Sequence, residues 1–264
     1  MGIGPLLRTW RTRRRLSQLD LALEAGVSTR HLSFLETGRS RPSEQMVLHL
    51  AEQLEVPLRE RNRMLLAAGY APIYSQTPLE QLGPIKDALD QLLSSHEPFP
   101  AIVVDRAWNV VAANAAIGML TAGAAPHLLE PPINALRLTL HPDGIAPRIE
   151  NLGQWRAHLL RDLEAQVDAT GDDELEALLE ELRALPGPEG EPGEHEVFVP
   201  LRIDGLSFLT TRTTFATALD VTVSELAIEA FFPADEATSD YLLNATSPSI
   251  SSRAGAASDS NRTA

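Results

Sequence analysis

The chain has 264 residues, of which 44% are hydrophobic, so it is long enough for about two globular domains. It contains no cysteine, which excludes disulfide bonds and thiolate metal sites. No run of about eighteen apolar residues is present to cross a membrane, and residues 8–15 are too rich in arginine for the core of a signal peptide. We therefore expect a cytoplasmic protein with no membrane partner.

The net charge of −14 is distributed unevenly along the chain. Residues 1–70 carry eleven arginines and seven acidic residues, a balance of +4, whereas the remainder carries eleven basic and 29 acidic residues, a balance of −18. Most charged runs are simply solvated surface. Here the arginines flank two short predicted helices, and a basic face in that place suits the phosphate backbone of DNA.

Residues 16–42 predict two short helices joined by a tight turn. Ser17 is a suitable N-cap for the first helix, which is expected to end at Gly26, because glycine enters the left-handed turn after a helix without steric cost. Ser28 is a suitable N-cap for the second helix. A short helix held across another by such a turn fits the major groove of DNA.

Three further helices are expected around this pair. One precedes it, Ser43 caps another, and Val56-Pro57 opens the last, which gives a compact five-helix unit. In the first helix of the pair, Leu19 and Leu23 recur with Ala22 at helical spacing, which predicts an apolar inner face.

The region resembles the helix-turn-helix of the XRE family of bacterial and phage repressors over about residues 4–70. The matching residues are Ser17-Gln18-x-x-Leu21-Ala22, Gly26-Val27-Ser28, Leu32-Ser33-x-Leu35-Glu36-x-Gly38 and Arg41-Pro42. The first turn of the second helix carries Thr29-Arg30-His31, where phage repressors often carry Gln or Asn. The base preference is therefore not transferable from the family.

The partner expected of this region is a double-stranded DNA operator. Arg30 is suited to two hydrogen bonds with guanine, and Arg39 and Arg41 to contacts with the backbone. The predicted DNA-binding residues are Gln18, Ser28, Thr29, Arg30, Ser33, Phe34, Arg39 and Arg41. One helix-turn-helix covers too few base pairs for useful specificity, so a homodimer on an inverted repeat is expected.

XRE-like domains often pair the positions of Arg11 and Glu36, which implies an ion pair between these two residues. Contact of Arg11 with phosphate is an equally open alternative.

Residues 71–100 are predicted to be a linker and a connecting helix. Thr77-Pro78-Leu79-Glu80 forms a helix start, and Pro84 is expected to kink or restart that helix. Pro98-Phe99-Pro100 ends it. The apolar stripe along this helix favours packing, although it also suits a dimer contact or the transmission of a signal between domains.

The remainder predicts strands on either side of a helical region. Asn114 is a suitable N-cap after the second strand, and residues 132–140 and 147–185 are mostly helical in pattern. The predicted strands are 102–104, 108–112, 196–203, 206–215 and 224–232.

We assign residues 1–70 to the helix-turn-helix domain, 71–100 to the connection, 101–245 to a second domain and 246–264 to a disordered tail. The fold class expected is α+β: an N-terminal all-α domain, followed by an antiparallel sheet covered by helices.

The second domain resembles the ligand-binding domain of MmyB-like transcription regulators across residues 78–240. The matching residues are Val104-Asp105-Arg106-x-Trp108, Asn114-x-Ala116, Asn134-x-Leu136-Arg137-Leu138-x-Leu140-His141-Pro142-x-Gly144, Asn151, Trp155, His158-Leu159 and Glu229-x-Phe231-Phe232-Pro233-x-Asp235. The resemblance implies a PAS-like domain, with an antiparallel sheet and helices over one face. It also implies an apolar pocket for a small, fatty-acid-like ligand, and a one-component regulator.

The residues themselves permit such a pocket, because a sheet covered by helices leaves a hollow where side chains do not fill it. Arg137 and His141 lie one helical turn apart and are candidates to hold a ligand carboxylate, with His158 and Asn134 in reserve. The alternatives are an intramolecular ion pair for Arg137 and a helix-end contact for His141. The predicted ligand-binding residues are Trp108, Asn134, Arg137, His141, Trp155, His158 and Phe208.

Catalysis is not expected. The chain has no Gly-x-Ser-x-Gly, no Gly-x-x-x-x-Gly-Lys and no His-Glu-x-x-His motif. None of the seven histidines lies three or four residues from another, so neither a metal site nor a cofactor is predicted. The alternative to a ligand sensor is a DNA-binding protein whose second domain serves only dimerisation or protein binding.

Overall fold

The computed structural model describes residues 2–190, 198–215 and 218–245. The N-terminal domain consists of helices α1 to α5, namely Ile3–Arg13, Gln18–Glu24, Thr29–Glu36, Glu44–Gln53 and Leu58–Ala68. Local capping sets where they begin. Ser17 and Asp20 form a capping box before α2, and the side chains of Ser28 and Ser43 each accept a hydrogen bond from the backbone N–H three residues further on. Gly26 has φ +62° at the end of α2, as the sequence predicts.

One apolar cluster joins these five helices. Among its members are Leu7 and Trp10 of α1 and Leu21 of α2, all buried. The predicted inner face of α2 is wrong in two of its three residues: Ala22 is buried, but Leu19 and Leu23 are 57% and 72% exposed. Each lies two residues from Leu21, about 200° around a helix of 3.6 residues per turn, and therefore on the opposite side.

The C-terminal domain is α+β, as predicted. Strands β1 to β5 are Ala101–Val104, Val110–Ala113, Leu201–Ile203, Leu206–Thr214 and Ala227–Pro233. They form an antiparallel sheet in the order β2-β1-β5-β4-β3. Helices α6 to α12 are Gly83–His96, Ile117–Thr121, Ala135–Leu140, Leu152–Thr170, Asp173–Ala184, Val221–Ser224 and Glu236–Ala245. No helix of the described chain is both long and apolar enough to span a bilayer.

Three local predictions need correction. β2 begins two residues later than predicted, because Trp108 lies in the preceding turn with φ +66°. β5 begins at Ala227 and not at residue 224, because the side chain of Asp220 caps the short helix α11. Asn114 is no helix cap: its side chain is buried and accepts a hydrogen bond from the N–H of Ala101, bracing β1. Predicted features within residues 191–197 and 246–264 lie outside the described residues.

Helices cover both faces of the sheet, whereas the resemblance implies one covered face. Because side chains alternate along a strand, Ile102 and Val104 face α9 and α10, while Val103 faces the other side. Leu89 and Leu93 of α6 pack against that other side. The helix predicted as a connection is therefore part of the core of the C-terminal domain.

The two domains are in contact. Arg59 of α5 forms a bidentate ion pair with Glu225, at 2.7 Å for both hydrogen bonds. Thr77 donates through its hydroxyl to Asp220 at 2.8 Å. On the other side, the guanidinium of Arg13 reaches the carbonyl of Thr170 at 3.3 Å. Arg59 and Arg13 thus join the helix-turn-helix unit to the end of α11 and to the end of α9, while Thr77 joins the connecting segment to the start of α11.

Candidate DNA-binding surface and ligand cavity

Helix α3 presents the residues predicted to face bases. Its buried side is formed by Leu32 and Leu35, which leaves Arg30 exposed and Thr29, Ser33 and Phe34 half-buried. The Arg30 guanidinium lies 5.3 Å from the centre of the Phe34 ring. The Ser28 hydroxyl is engaged by the N–H of His31 at 3.1 Å, so its role within the protein is to cap α3.

The two arginines predicted to contact the DNA backbone differ in their surroundings. Arg39 is exposed just after Gly38, which has φ +72° and ends the turn that follows α3. Arg41 donates from Nε and Nη2 to the carbonyl of Ala68, at 3.2 and 3.0 Å, and lies over the Tyr70 ring. Arg41 thus stabilises the end of α5, while the Arg39 side chain extends outward.

A buried carboxylate connects α1, α2 and α3. Arg11 donates to Glu36 from Nε at 2.6 Å and from Nη2 at 3.1 Å, which confirms the ion pair over the phosphate alternative. The amide of Gln18 donates to the same carboxylate at 2.8 Å, which fixes the side chain predicted to touch DNA. Burial raises the pKa of Glu36, but the hydrogen bonds from Arg11 and Gln18 outweigh it and hold the pKa below its ordinary value.

A cavity of about 540 Å³ lies between the sheet and the helices of the C-terminal domain. That volume is within the range of small-molecule pockets, roughly 300–1,000 Å³. Three predicted ligand residues, Trp108, Trp155 and His158, line it. Most of the other lining residues are apolar, and they include Ile102, Val110, Ile117, Leu120, Leu129, Ile133, Leu136, Leu138, Ile145, Leu159 and Phe231.

The other four predicted ligand residues do not line this cavity. Arg137 forms an outward ion pair with Glu181, at 2.6 and 2.7 Å, which is the alternative left open by the sequence. His141 accepts the N–H of residue 143 at its Nδ1, beyond the end of α8. Asn134 caps α8 and donates to the carbonyl of residue 107. Phe208 is fully buried in the core.

Apart from His158, the polar part of the cavity wall comes from residues that sequence reasoning missed. Arg212 of β4 lies opposite Glu229 of β5 in the strand register, and its Nε donates to that carboxylate. The Arg212 guanidinium also stacks 4.1 Å from the centre of the Trp108 ring. His158 and Asp162, one turn apart on α9, complete this part of the wall.

Two features leave this polar wall incompletely satisfied. Burial raises the pKa of the Glu229 carboxyl, although Arg212 opposes the shift. The indole N–H of Trp155 is buried and has no hydrogen-bond acceptor among the described residues. A bound molecule with a polar group would supply partners that the protein itself does not.

A second cavity, of about 330 Å³, lies between the two domains. Arg59 and Glu60 of α5 line one side and Glu225 lines another. Trp108 and Arg212 line both cavities and so form the wall between them. Trp108 has φ +66°, a backbone conformation that is strained for a bulky residue. Such a conformation persists only where the surrounding structure holds it in place.

A helix-turn-helix unit joined to a sheet domain with an apolar cavity defines a class: DNA-binding transcription regulators with a ligand-binding domain. The comparison with family models agrees, because the helix-turn-helix model matches residues 7–61 and the MmyB-like transcription regulator ligand binding domain matches residues 85–243. The chain therefore belongs to the MmyB-like transcription regulators. No curated protein matches the chain.

Proposed function

We propose that this protein is a one-component regulator that binds operator DNA as a homodimer and changes its DNA affinity when an apolar or fatty-acid-like ligand occupies the C-terminal cavity. The observation that carries the proposal is the apolar cavity of about 540 Å³ in the same chain as α3, the helix that presents Arg30 to solvent. A filled protein core leaves few voids larger than a water molecule, so a hollow of this size favours a ligand.

The lining of the cavity supports an amphiphile. An apolar tail would lie among Ile117, Leu136 and Leu159, while the polar group would meet Arg212 and the indole N–H of Trp155. This replaces Arg137 as the proposed anchor. The Nε of Arg212 is bonded to Glu229, and its two terminal nitrogens make no hydrogen bond to any described residue.

For DNA, the proposal assigns base contacts to Thr29, Arg30, Ser33 and Phe34, and backbone contacts to Gln18 and Arg39. The exposed position of Arg30 at the start of α3 supports a bidentate contact with guanine. Two copies of the chain on an inverted repeat would supply the specificity that one half-site lacks.

A ligand alters DNA affinity only if it binds two domain arrangements unequally. The wall formed by Trp108 and Arg212 offers the route, because movement of either side chain on ligand binding changes the cavity between the domains. Arg59 of α5 extends into that second cavity and is tied to Glu225. Ligand occupancy would thereby bias the position of the helix-turn-helix unit.

The test begins with mass spectrometry of small molecules released from the purified protein. Dodecanoate and dodecanol are then titrated, with tryptophan fluorescence and binding to a selected operator as the two signals. Ala135→Phe, which places a large side chain into the cavity, should weaken both probes at least about tenfold. Arg212→Gln should weaken dodecanoate more than dodecanol.

Arg137→Ala is the matched control, since it removes an arginine outside the cavity and should leave both affinities unchanged. Absence of a saturable response to either probe, together with no lipid in the purified protein, would overturn the ligand proposal. The second domain would then be a dimerisation or protein-binding module.

A further inference from the structure

The structure brings together two histidines that are distant in sequence. His127 lies on a short 3₁₀ turn, Pro126–Leu128, and His141 lies at the end of α8, with Asp143 two residues beyond. One ligand atom from each of the three side chains lies within 4.8 Å of the others. The two imidazole rings meet edge to face, with centroids 5.8 Å apart.

The distances within the cluster are close to those of a metal site. Nδ1 of His141 accepts a hydrogen bond from the backbone N–H of Asp143 at 3.0 Å, and a metal ion would displace this bond to coordinate that nitrogen. It lies 3.9 Å from a carboxylate oxygen of Asp143. Ligand atoms around a tetrahedral Zn²⁺ are about 3.3 Å apart, given bonds of about 2.0–2.1 Å. Rotation of the exposed side chains of His127 and Asp143 would close the difference.

The cluster also carries a negative charge of its own, because Asp143 is its acidic member. Imidazole nitrogens with one carboxylate are typical ligands of Zn²⁺, Ni²⁺ and Cu²⁺, and poor ligands of Mg²⁺, which prefers oxygen.

We propose that His127, His141 and Asp143 form a binding site for a divalent transition-metal ion, which we represent by Zn²⁺. Three protein ligands leave a position for water, as in open zinc sites. The inference does not depend on the proposed function, because it rests on a different set of side chains.

The position of the site gives binding a structural consequence. The segment that carries His127 is held to the loop after α8 by one backbone hydrogen bond, from Ala125 to Asp143, at 2.8 Å. Leu129 and Ile133, which follow His127, line the cavity of the C-terminal domain. A metal bridge between His127 and His141 would add a second connection and restrain this wall of the cavity.

The experiment is calorimetric titration of tag-free, full-length protein with Zn²⁺ alone and, separately, with Mg²⁺. We expect one equivalent of Zn²⁺ per chain, with no binding of Mg²⁺. His127→Ala and His141→Ala should each weaken Zn²⁺ binding at least about tenfold. His31→Ala, which removes a histidine from the other domain, is the matched control and should bind Zn²⁺ as the wild type does.

A second measurement uses Co²⁺ in place of Zn²⁺. Its visible absorption in the wild-type protein should report nitrogen and oxygen ligands and should be lost in His127→Ala, an exposed substitution that leaves the fold intact. The proposal is overturned if Zn²⁺ does not bind, or if it binds with the same affinity in His127→Ala and His141→Ala, which would place the metal elsewhere on the chain.

Discussion

The buried carboxylate of Glu36 is expected to decide both the stability of the N-terminal domain and the placement of a DNA-contacting side chain. Its side chain is 3% exposed and that of Arg11 is 12% exposed. Glu36→Ala removes three hydrogen bonds, two from Arg11 and one from Gln18. Breaking a buried pair from one side costs about 3–5 kcal/mol, because the remaining charge stays buried without its partner.

We expect the lower end of that range. Arg11 retains its hydrogen bond to the carbonyl of Leu16 at 2.7 Å and has some access to water. A loss of about 3 kcal/mol is a large part of the roughly 5–15 kcal/mol that stabilises a typical domain. Operator affinity should fall as well, since the Gln18 amide loses the acceptor that orients it.

The assay is hydrogen exchange of residues 1–70 in the full-length chain, because fluorescence from both domains would mix two transitions. Glu24→Ala, at an exposed position of α2, is the matched control. If Glu36→Ala loses no more stability than Glu24→Ala, the ion pair does not stabilise the domain and this reasoning fails. Arg11→Met combined with Glu36→Leu should recover part of the loss, because an apolar pair leaves no charge buried.

The remaining predictions concern DNA contacts and pH. Arg30→Ala should relax base preference at one position per half-site, by about 1–3 kcal/mol, and selection from random DNA that returned the wild-type motif would contradict it. Arg39→Ala should weaken all sequences alike and lower the salt slope by about one unit in titrations at several salt concentrations. Burial raises the pKa of Glu60, although Arg63 opposes the shift, so the stability linked to its protonated form is present in acid and lost as pH rises through the raised pKa. Glu60→Gln should therefore raise the unfolding midpoint at neutral pH and not in acid, and an equal shift in thermal melts at both pH values would refute this.

The stability contributed by Glu36 depends on pH in the opposite direction to that linked to Glu60. The pKa of Glu36 is lowered in the folded state, so the stability that it contributes is present above the ordinary carboxyl range and is lost as pH falls through the lowered value. Acid should therefore weaken the contacts of α1 with α3 around Glu36, while Glu60 at the domain boundary gains from protonation.

The features that could be predicted from the sequence are those whose interacting groups lie close together along the chain. Ser17, Ser28 and Ser43 cap helices through backbone groups three residues away, so a short window of sequence contains both partners. The turn at Gly26 is local in the same way. The helix-turn-helix was therefore predictable nearly to its ends, whereas the outward direction of Leu19 depends on where α3 packs.

The anchor of the candidate ligand site was not predictable by the same means. Arg212 meets Glu229 because β4 and β5 pair in one particular register, and a shift of one residue would send the arginine to the other face of the sheet. The spacing of Arg137 to His141 made it a plausible anchor for a ligand carboxylate. Its actual partner, Glu181, lies on a different helix, 44 residues further along the chain. Choosing between these arginines required the tertiary arrangement.

The same limit explains why one of the aromatic residues predicted to line the cavity lies in the packed core instead. Trp155 and Phe208 are both buried and both come from apolar patterns, yet only Trp155 lines the cavity. Whether an inward side chain meets packed atoms or open space depends on the size of the residues opposite. Small side chains at Ala113 and Ala135 stand in the wall of the cavity, whereas Phe208 packs against the ring of Phe231. An apolar pattern therefore predicts the direction of a side chain, and the hollow arises from the combined volumes of residues on different elements.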